Sequence, residues 1–168
     1  MTEEPQRRRR PLVAIVGRPN VGKSTLFNRL IRRKLAIVHD VAGVTRDRHY
    51  ADTDFWGEQL TLIDTGGFVP ETAENDLSRA IRQQAEVAVQ ECDVVLLVVD
   101  GRAGVVASDE EVAKYLRKQN CKLLLVVNKC DGGRNADVMN ADFHGLGLGE
   151  PLAVSAEHGD GIEELREA

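Results

Sequence analysis

Three short segments of the chain carry residue types whose spacing suits a phosphorylated ligand. The first, Gly17-Arg-Pro-Asn-Val-Gly-Lys-Ser24, fits the pattern G-x-x-x-x-G-K-[ST]. It lies directly after the apolar run Leu12 to Val16 and opens an amphipathic stretch that begins at Lys23. Glycines let a backbone wrap an anion, amides at a helix start point inward, and the helix dipole favours negative charge. Gly17, Arg18, Pro19, Asn20, Val21, Gly22, Lys23, Ser24 and Thr25 are therefore candidate phosphate contacts. In this pattern Lys23 reaches the terminal phosphates and the Ser24 hydroxyl ligates Mg²⁺. A glycine-rich turn with an ordinary exposed lysine is the rival reading, and the flanking strand and helix patterns argue against it.

The second segment is Asp64-Thr65-Gly66-Gly67, at the end of the apolar residues Leu60 to Ile63. A carboxylate there holds Mg²⁺ through water, and the Gly67 amide senses a γ-phosphate. The third, Asn128-Lys-Cys-Asp131, follows the apolar run Lys122 to Val127 and so shares the sheet edge of the first. The Asp131 carboxylate matches the N1–H and 2-amino donors of guanine. Adenine lacks both and would leave a desolvated carboxylate unpaired, which disfavours ATP. Lys129 can lay its stem along the base plane, and Ser155-Ala156 can offer a backbone amide to guanine O6. GTP and GDP are the ligands these residues suit.

The elements that must position these segments alternate along the chain. Leu12 to Val16 reads as a buried strand, Lys23 to Arg33 as a helix, and residues 34–48 as a loop. Residues 49–55 and 59–64 read as a hairpin turning at Trp56-Gly57. Asp76 to Cys92 is a helix, Asp93 to Asp100 a strand, and Ser108 to Gln119 a helix with Ser108 as N-cap and Glu111 completing a capping box. Lys122 to Asn128 and Leu152 to Val154 are strands, and Gly161 to Ala168 starts a final helix. Continuous apolar strands between amphipathic helices predict an α/β fold. It is a mostly parallel, six-stranded sheet with helices on both faces and one antiparallel edge strand.

Composition bounds the rest. The chain has 168 residues, 42% hydrophobic and 29% charged, which suits one globular domain. No apolar run approaches the length needed to span a bilayer, and Leu12 to Val16 is too short for a signal-peptide core, so a cytoplasmic protein without membrane contact is expected. The net charge of −5 is uneven: residues 1–34 hold ten Lys/Arg and two Asp/Glu, the remainder twelve and twenty-five. That balance suits a local polyanion site, not sequence-specific nucleic-acid binding. Residues 1–10, with Arg7 to Arg10, read as a flexible basic tail, and 11–168 as the domain. Three cysteines without C-x-x-C spacing and four scattered histidines suggest neither a disulfide framework nor a zinc site. The last helix stops after about two turns without a cap, which reads as a cut from a longer chain.

In this order the segments resemble the translation-factor-related class of P-loop GTPases, over Leu12 to Ile162. The resemblance implies that Gly43-Val-Thr-Arg-Asp47 is switch I, with Thr45 a Mg²⁺ ligand, and that Asp64 to Gly67 begins switch II. G-R-P-N-V-G-K-S, G-V-T-R-D and D-T-G-G together resemble the Der (EngA) family of bacterial ribosome-assembly GTPases, and within it the first of two tandem GTPase domains. A KH-like domain and a role in large-subunit assembly go with that family; this chain holds only one GTPase domain. Small regulatory GTPases place a glutamine after the second glycine to orient water, whereas Phe68 stands here and cannot. The resemblance implies a hydrophobic-residue subgroup that pairs a P-loop Asn with K⁺, which would make Asn20 a K⁺ ligand beside the catalytic Lys23, Thr45 and Gly67. Residues 34–48 and 68–75 are expected to depend on the γ-phosphate for order. Mg²⁺-dependent GTP hydrolysis is the first expectation, and a guanine-nucleotide-dependent binding module with negligible hydrolysis of its own is the second.

Overall fold

The computed structural model describes residues 9–31, 37–39, 49–55, 57–65, 77–131 and 141–168. Its strands are β1 (Leu12–Val16), β2 (Ile37–His39), β3 (His49–Phe55), β4 (Glu58–Asp64), β5 (Val94–Asp100), β6 (Lys122–Asn128) and β7 (Leu152–Ala153). The helices are α1 (Lys23–Ile31), α2 (Leu77–Glu91), α3 (Ala107–Leu116) and α4 (Ile162–Glu167), with a 3-10 turn at His144–Leu146.

These strands form one sheet in the order β2-β3-β4-β1-β5-β6-β7. β1 pairs in parallel with both β4 and β5, β6 continues beside β5, and β7 beside β6. The chain thus leaves β1 toward one side of the sheet and later returns to the other. That reversal is where open α/β sheets bind ligands, at the carboxyl ends of the strands.

Side chains of β1 divide by strict alternation. Ala14 and Val16 join the core under α2 and α3, with Ile81, Ala85, Val112, Leu116 and Phe143. Val13 and Ile15 join the other, with Leu26, Phe27 and Leu30 of α1 and Ile162 and Leu165 of α4. β5 splits the same way, Val95, Leu97 and Val99 against Leu96 and Val98. Burial on both faces is what makes these strands unbroken apolar runs.

The mostly parallel sheet with one reversed strand stands as expected, and that strand is β3, antiparallel to β4. The count differs by one. β2, three residues within the stretch read as a loop, pairs antiparallel with β3, so β3 is not the edge and the sheet has seven strands. Three residues are too few to show an alternating pattern. The start of α3 also differs: Val106 is the N-cap, not Ser108. Asp109, not Glu111, sits at the third helical position, and its carboxylate accepts the Val106 amide at 3.2 Å. Asp109 is buried and faces Arg18, its Oδ1 3.6 Å from Nε. Burial keeps its carboxyl above the usual range, opposed by the Val106 amide and Arg18.

A tight loop, 155–160, joins β7 to α4: the Ser155 amide donates to Asp160 O and the Gly159 amide to Ser155 O. Gly161 closes it at φ 73°, and a Cβ there would lie 2.1 Å from Ala153 O. Both the left-handed backbone and the carbonyl oppose any side chain. Gly161→Ala should therefore cost at least ~1 kcal/mol and lower the thermal midpoint by several degrees. Circular dichroism melts measure this, and an unchanged midpoint would contradict it.

Candidate functional site

The loop between β1 and α1 carries the first segment, and its backbone is shaped by a neighbour. Gly22 has φ 96°, and a Cβ there would lie 2.2 Å from Asn128 Nδ2. Only glycine fits between the asparagine and the cradle. Lys23 is buried, and its Nζ donates to Gly17 O at 2.6 Å and Arg18 O at 2.8 Å. Ser24 Oγ donates to Asp64 Oδ2 at 3.0 Å, so the ends of α1 and β4 that face one another meet through two oxygen ligands of the kind Mg²⁺ takes. Arg18 turns away from the cradle toward Asp109, as expected of a residue whose backbone does the cradling. Pro19, Asn20, Gly22, Lys23, Ser24, Thr25 and Lys129 line this part of the cleft.

Beside it lies a second pocket, lined by Gly22, Thr25, Arg102, Asn128, Lys129, Asp131, Ser155 and Glu157. Gly22, Thr25 and Lys129 belong to both, so the two are one continuous cleft. Asn128 is buried and uses its whole carboxamide: Nδ2 donates to Val21 O at 2.8 Å, and Oδ1 accepts the Ala156 amide at 2.9 Å. Lys129 Nζ donates to Asn20 O at 2.7 Å and Asp100 Oδ2 at 2.8 Å. Among the described residues Asn20 (φ 65°) and Lys129 (φ 66°) are the non-glycines with positive φ, and this bond joins them. Asp131 Oδ1 accepts the Ser155 hydroxyl at 2.9 Å, and Arg102 donates to Oδ2.

Some expected residues act from behind the cleft. Thr65 is buried with its hydroxyl on Ile15 O at 2.7 Å, which fastens the second segment to β1. Val21 contributes its carbonyl to Asn128. Of Ser155-Ala156, expected to offer a backbone amide to guanine O6, the Ser155 amide donates to Asp160 O and the Ala156 amide to the buried Asn128 Oδ1, which needs a donor. Thr45, Gly66, Gly67 and Phe68 lie outside the described residues, as do all of 34–48 except 37–39 and all of 68–75.

Beyond Glu157 of the pocket lining, Asp100, Arg102 and Arg29 were not foreseen. Asp100, at the end of β5, accepts Lys129 and the amides of Arg102 at 2.8 Å and Ala103 at 3.2 Å. Burial pushes its carboxyl up, but these bonds outweigh burial and hold it below the usual range. Its position at the carboxyl end of an apolar strand was the available signal. Arg102 follows two residues later. Arg29 of α1 donates from Nε to Ala156 O at 2.9 Å and from Nη2 to Glu157 O, clamping the loop after β7; nothing in its sequence context marks it.

The family model of 50S ribosome-binding GTPases matches residues 12–129. The chain belongs to that family. GTPase Der of Myxococcus xanthus is 56% identical over 157 residues, covering 93% of this chain and 34% of that protein. GTPase Der of Geobacillus thermodenitrificans is 49% identical over 158 residues, covering 94% and 36%. The chain thus spans about a third of the length of the curated relatives it matches. Among solved structures, Aquifex aeolicus Era bound to GDP·AlF4⁻ superposes with a TM-score of 0.69 at 31% identity, over 94% of this chain and 55% of Era. The G domain of the T. maritima FeoB iron transporter gives 0.66 at 26% identity, over 95% and 96%. No helix among the described residues is long and apolar enough to cross a membrane.

In this GTPase family member the cradle holds a buried lysine. Burial lowers the Lys23 pKa to about 8, a fall that Asp64 resists and Arg18 assists. Between about 8 and the ordinary value near 10.5 the unfolded chain holds a proton there that the folded chain has lost. Stability owed to this group therefore rises with pH across that window, while the charge that attracts phosphate is lost. Urea unfolding of the wild type and Lys23→Met should show the wild type gaining stability relative to the variant from about pH 8 to about pH 10.5. Equal pH slopes in the two would contradict the shift.

Proposed function

We propose that this chain is a guanine-nucleotide-binding domain that hydrolyses GTP to GDP and phosphate with Mg²⁺. Within a longer cytoplasmic protein, it serves assembly of the large ribosomal subunit. The observation that carries the first part is the buried Asn128. Its single side chain ties the phosphate cradle at Val21 to the loop at Ala156. Phosphate and base contacts thereby become parts of one cleft, the arrangement a nucleotide requires. The second part rests on the family's ribosome-binding description and on the Der relatives; the neighbour Era has been solved with MgGDPNP and a segment of 16S ribosomal RNA.

Each residue has a separable task. Backbone amides of the cradle and the Lys23 ammonium meet the phosphate charge. Asp131 accepts the two donors of guanine, and Lys129, held by Asp100 and Asn20, walls the cleft beside it. Ser24 would hold Mg²⁺ directly and Asp64 through water, with Thr45 as the expected further ligand; the ion neutralises charge between the β- and γ-phosphates when bound. Asn20 would supply its side-chain oxygen to K⁺, a second and monovalent counter-charge for the phosphates. Its exposure at the mouth of the cradle supports this, although a positive φ also suits asparagine as a turn residue.

Asp131→Asn tests the base reading. One acceptor becomes a donor facing another donor, so GTP affinity should fall about 5- to 150-fold, the ~1–3 kcal/mol of an unsatisfied buried group. Equilibrium titration with GTP and with XTP reads this, and an unchanged GTP affinity would remove the assignment. Multiple-turnover phosphate release from the chain, with and without large ribosomal subunits, then separates hydrolysis from binding alone. That release should be faster in KCl than in NaCl at equal ionic strength, and Asn20→Ala should abolish the difference. Identical rates in the two salts would leave Asn20 a turn residue.

A further inference from the structure

Asp131 reads the base under the function proposed above, and the role of Arg102 rests on that reading. The Asp131 carboxylate is engaged on both oxygens. Oδ1 accepts the Ser155 hydroxyl at 2.9 Å, and His158 Nε2 stands 3.8 Å from it. Oδ2 accepts a guanidinium nitrogen of Arg102.

Arg102 is built as a tethered cation. Its backbone amide is fixed by Asp100 Oδ1 at 2.8 Å, so the residue cannot leave the cleft. Its side chain is 60% exposed, so the guanidinium can swing away. It lines the base pocket with Gly22, Thr25 and Lys129, in the space a base would enter.

The chemistry of the two partners coincides. A guanidinium presents N–H donors from nitrogens that share one carbon, a fork that matches a carboxylate. Guanine presents N1–H and its 2-amino group from two nitrogens that also share one carbon. Arg102 therefore offers Asp131 the same kind of donor edge as the ligand does. Both cannot hold Oδ2 in one geometry.

We propose that Arg102 is an internal competitor for the base: it satisfies the Asp131 carboxylate until guanine displaces it, and so sets the rate and affinity of nucleotide capture. The device caps the second oxygen of a carboxylate whose first already meets Ser155 and faces His158, and it weakens guanine binding by the worth of the pair. Because the pair is exposed, that worth is small, up to about fivefold in affinity, and it falls as salt screens it.

Stopped-flow binding of fluorescent GDP to the wild-type chain, Arg102→Ala and Arg102→Lys tests this. At low salt Arg102→Ala should bind about two- to fivefold faster and tighter, with Arg102→Lys between. The ratio of variant to wild type should approach one as ionic strength rises. In an Asp131→Asn background, read with xanthosine diphosphate, Arg102→Ala should change nothing, since no carboxylate remains to hold. Equal or slower GDP capture by Arg102→Ala overturns the competition while leaving the base reading intact. If Asp131→Asn alone keeps full GDP affinity, the base reading fails and the competition falls with it.

Discussion

The Asn128 carboxamide is bonded at both ends in a place that water does not reach, with its donor on the P-loop and its acceptor on the loop after β7. Losing either bond would strand a buried polar group at a cost of about 1–3 kcal/mol. That constraint propagates outward. Gly22 must be glycine because the asparagine occupies the space of its Cβ. Val21 is buried with its carbonyl committed, and Ala156 cannot turn its amide freely to a ligand. Arg29 holds the same loop from α1 through the carbonyls of Ala156 and Glu157. The helix that opens at the phosphates is thus coupled to the loop beside the base by two independent sets of bonds.

Charge in the cleft is balanced one pair at a time. Asp64 closes β4, Asp100 closes β5, and Asp131 lies just past β6. Each faces one cation of the site: Asp64 acts on Lys23, Asp100 bonds Lys129, and Asp131 bonds Arg102. A fourth pair, Arg18 and Asp109, removes a P-loop cation from the cradle and anchors α3. In the first of these pairs the bonds of Lys23 run to carbonyls, and burial outweighs the attraction of Asp64. A phosphate adds counter-charge beside it, which offsets the cost of burying the lysine.

What could be read in the sequence was the backbone-dependent part. Gly17 to Ser24 needs glycines and a following helix, and both are visible in one dimension; so are the apolar runs of β1, β5 and β6. Residues whose role depends on a distant partner were not legible. A lone aspartate at the end of β5 looks like a turn residue until Lys129, twenty-nine positions later, is folded against it. Ser108 and Glu111 satisfy the local pattern of a capping box, yet Asp109 takes the position, accepting the Val106 amide with distant Arg18 beside it. β2 was missed because its three residues are specified by pairing with β3, which no local pattern encodes.

The architecture also dictates where polar chemistry can be placed. β1, β5 and β6 are buried on both faces, so a functional side chain in mid-strand would have to displace core. Polar groups are excluded to the strand ends, and parallel strands bring all their carboxyl ends to one edge. Ile15, for example, lies opposite Asp64, and Asp100 opposite Asn128, at that edge. β3 runs the other way and ends on the opposite edge at Phe55, over whose ring Arg166 stacks at 5.2 Å. The lining there is mostly apolar, from Val13, Leu60, Val94 and Leu124, with Lys122 and Arg166 beside them. One reversal in chain direction therefore separates an edge that handles charge from an edge that mainly packs, which is why all three segments with chemistry follow strands that point the same way.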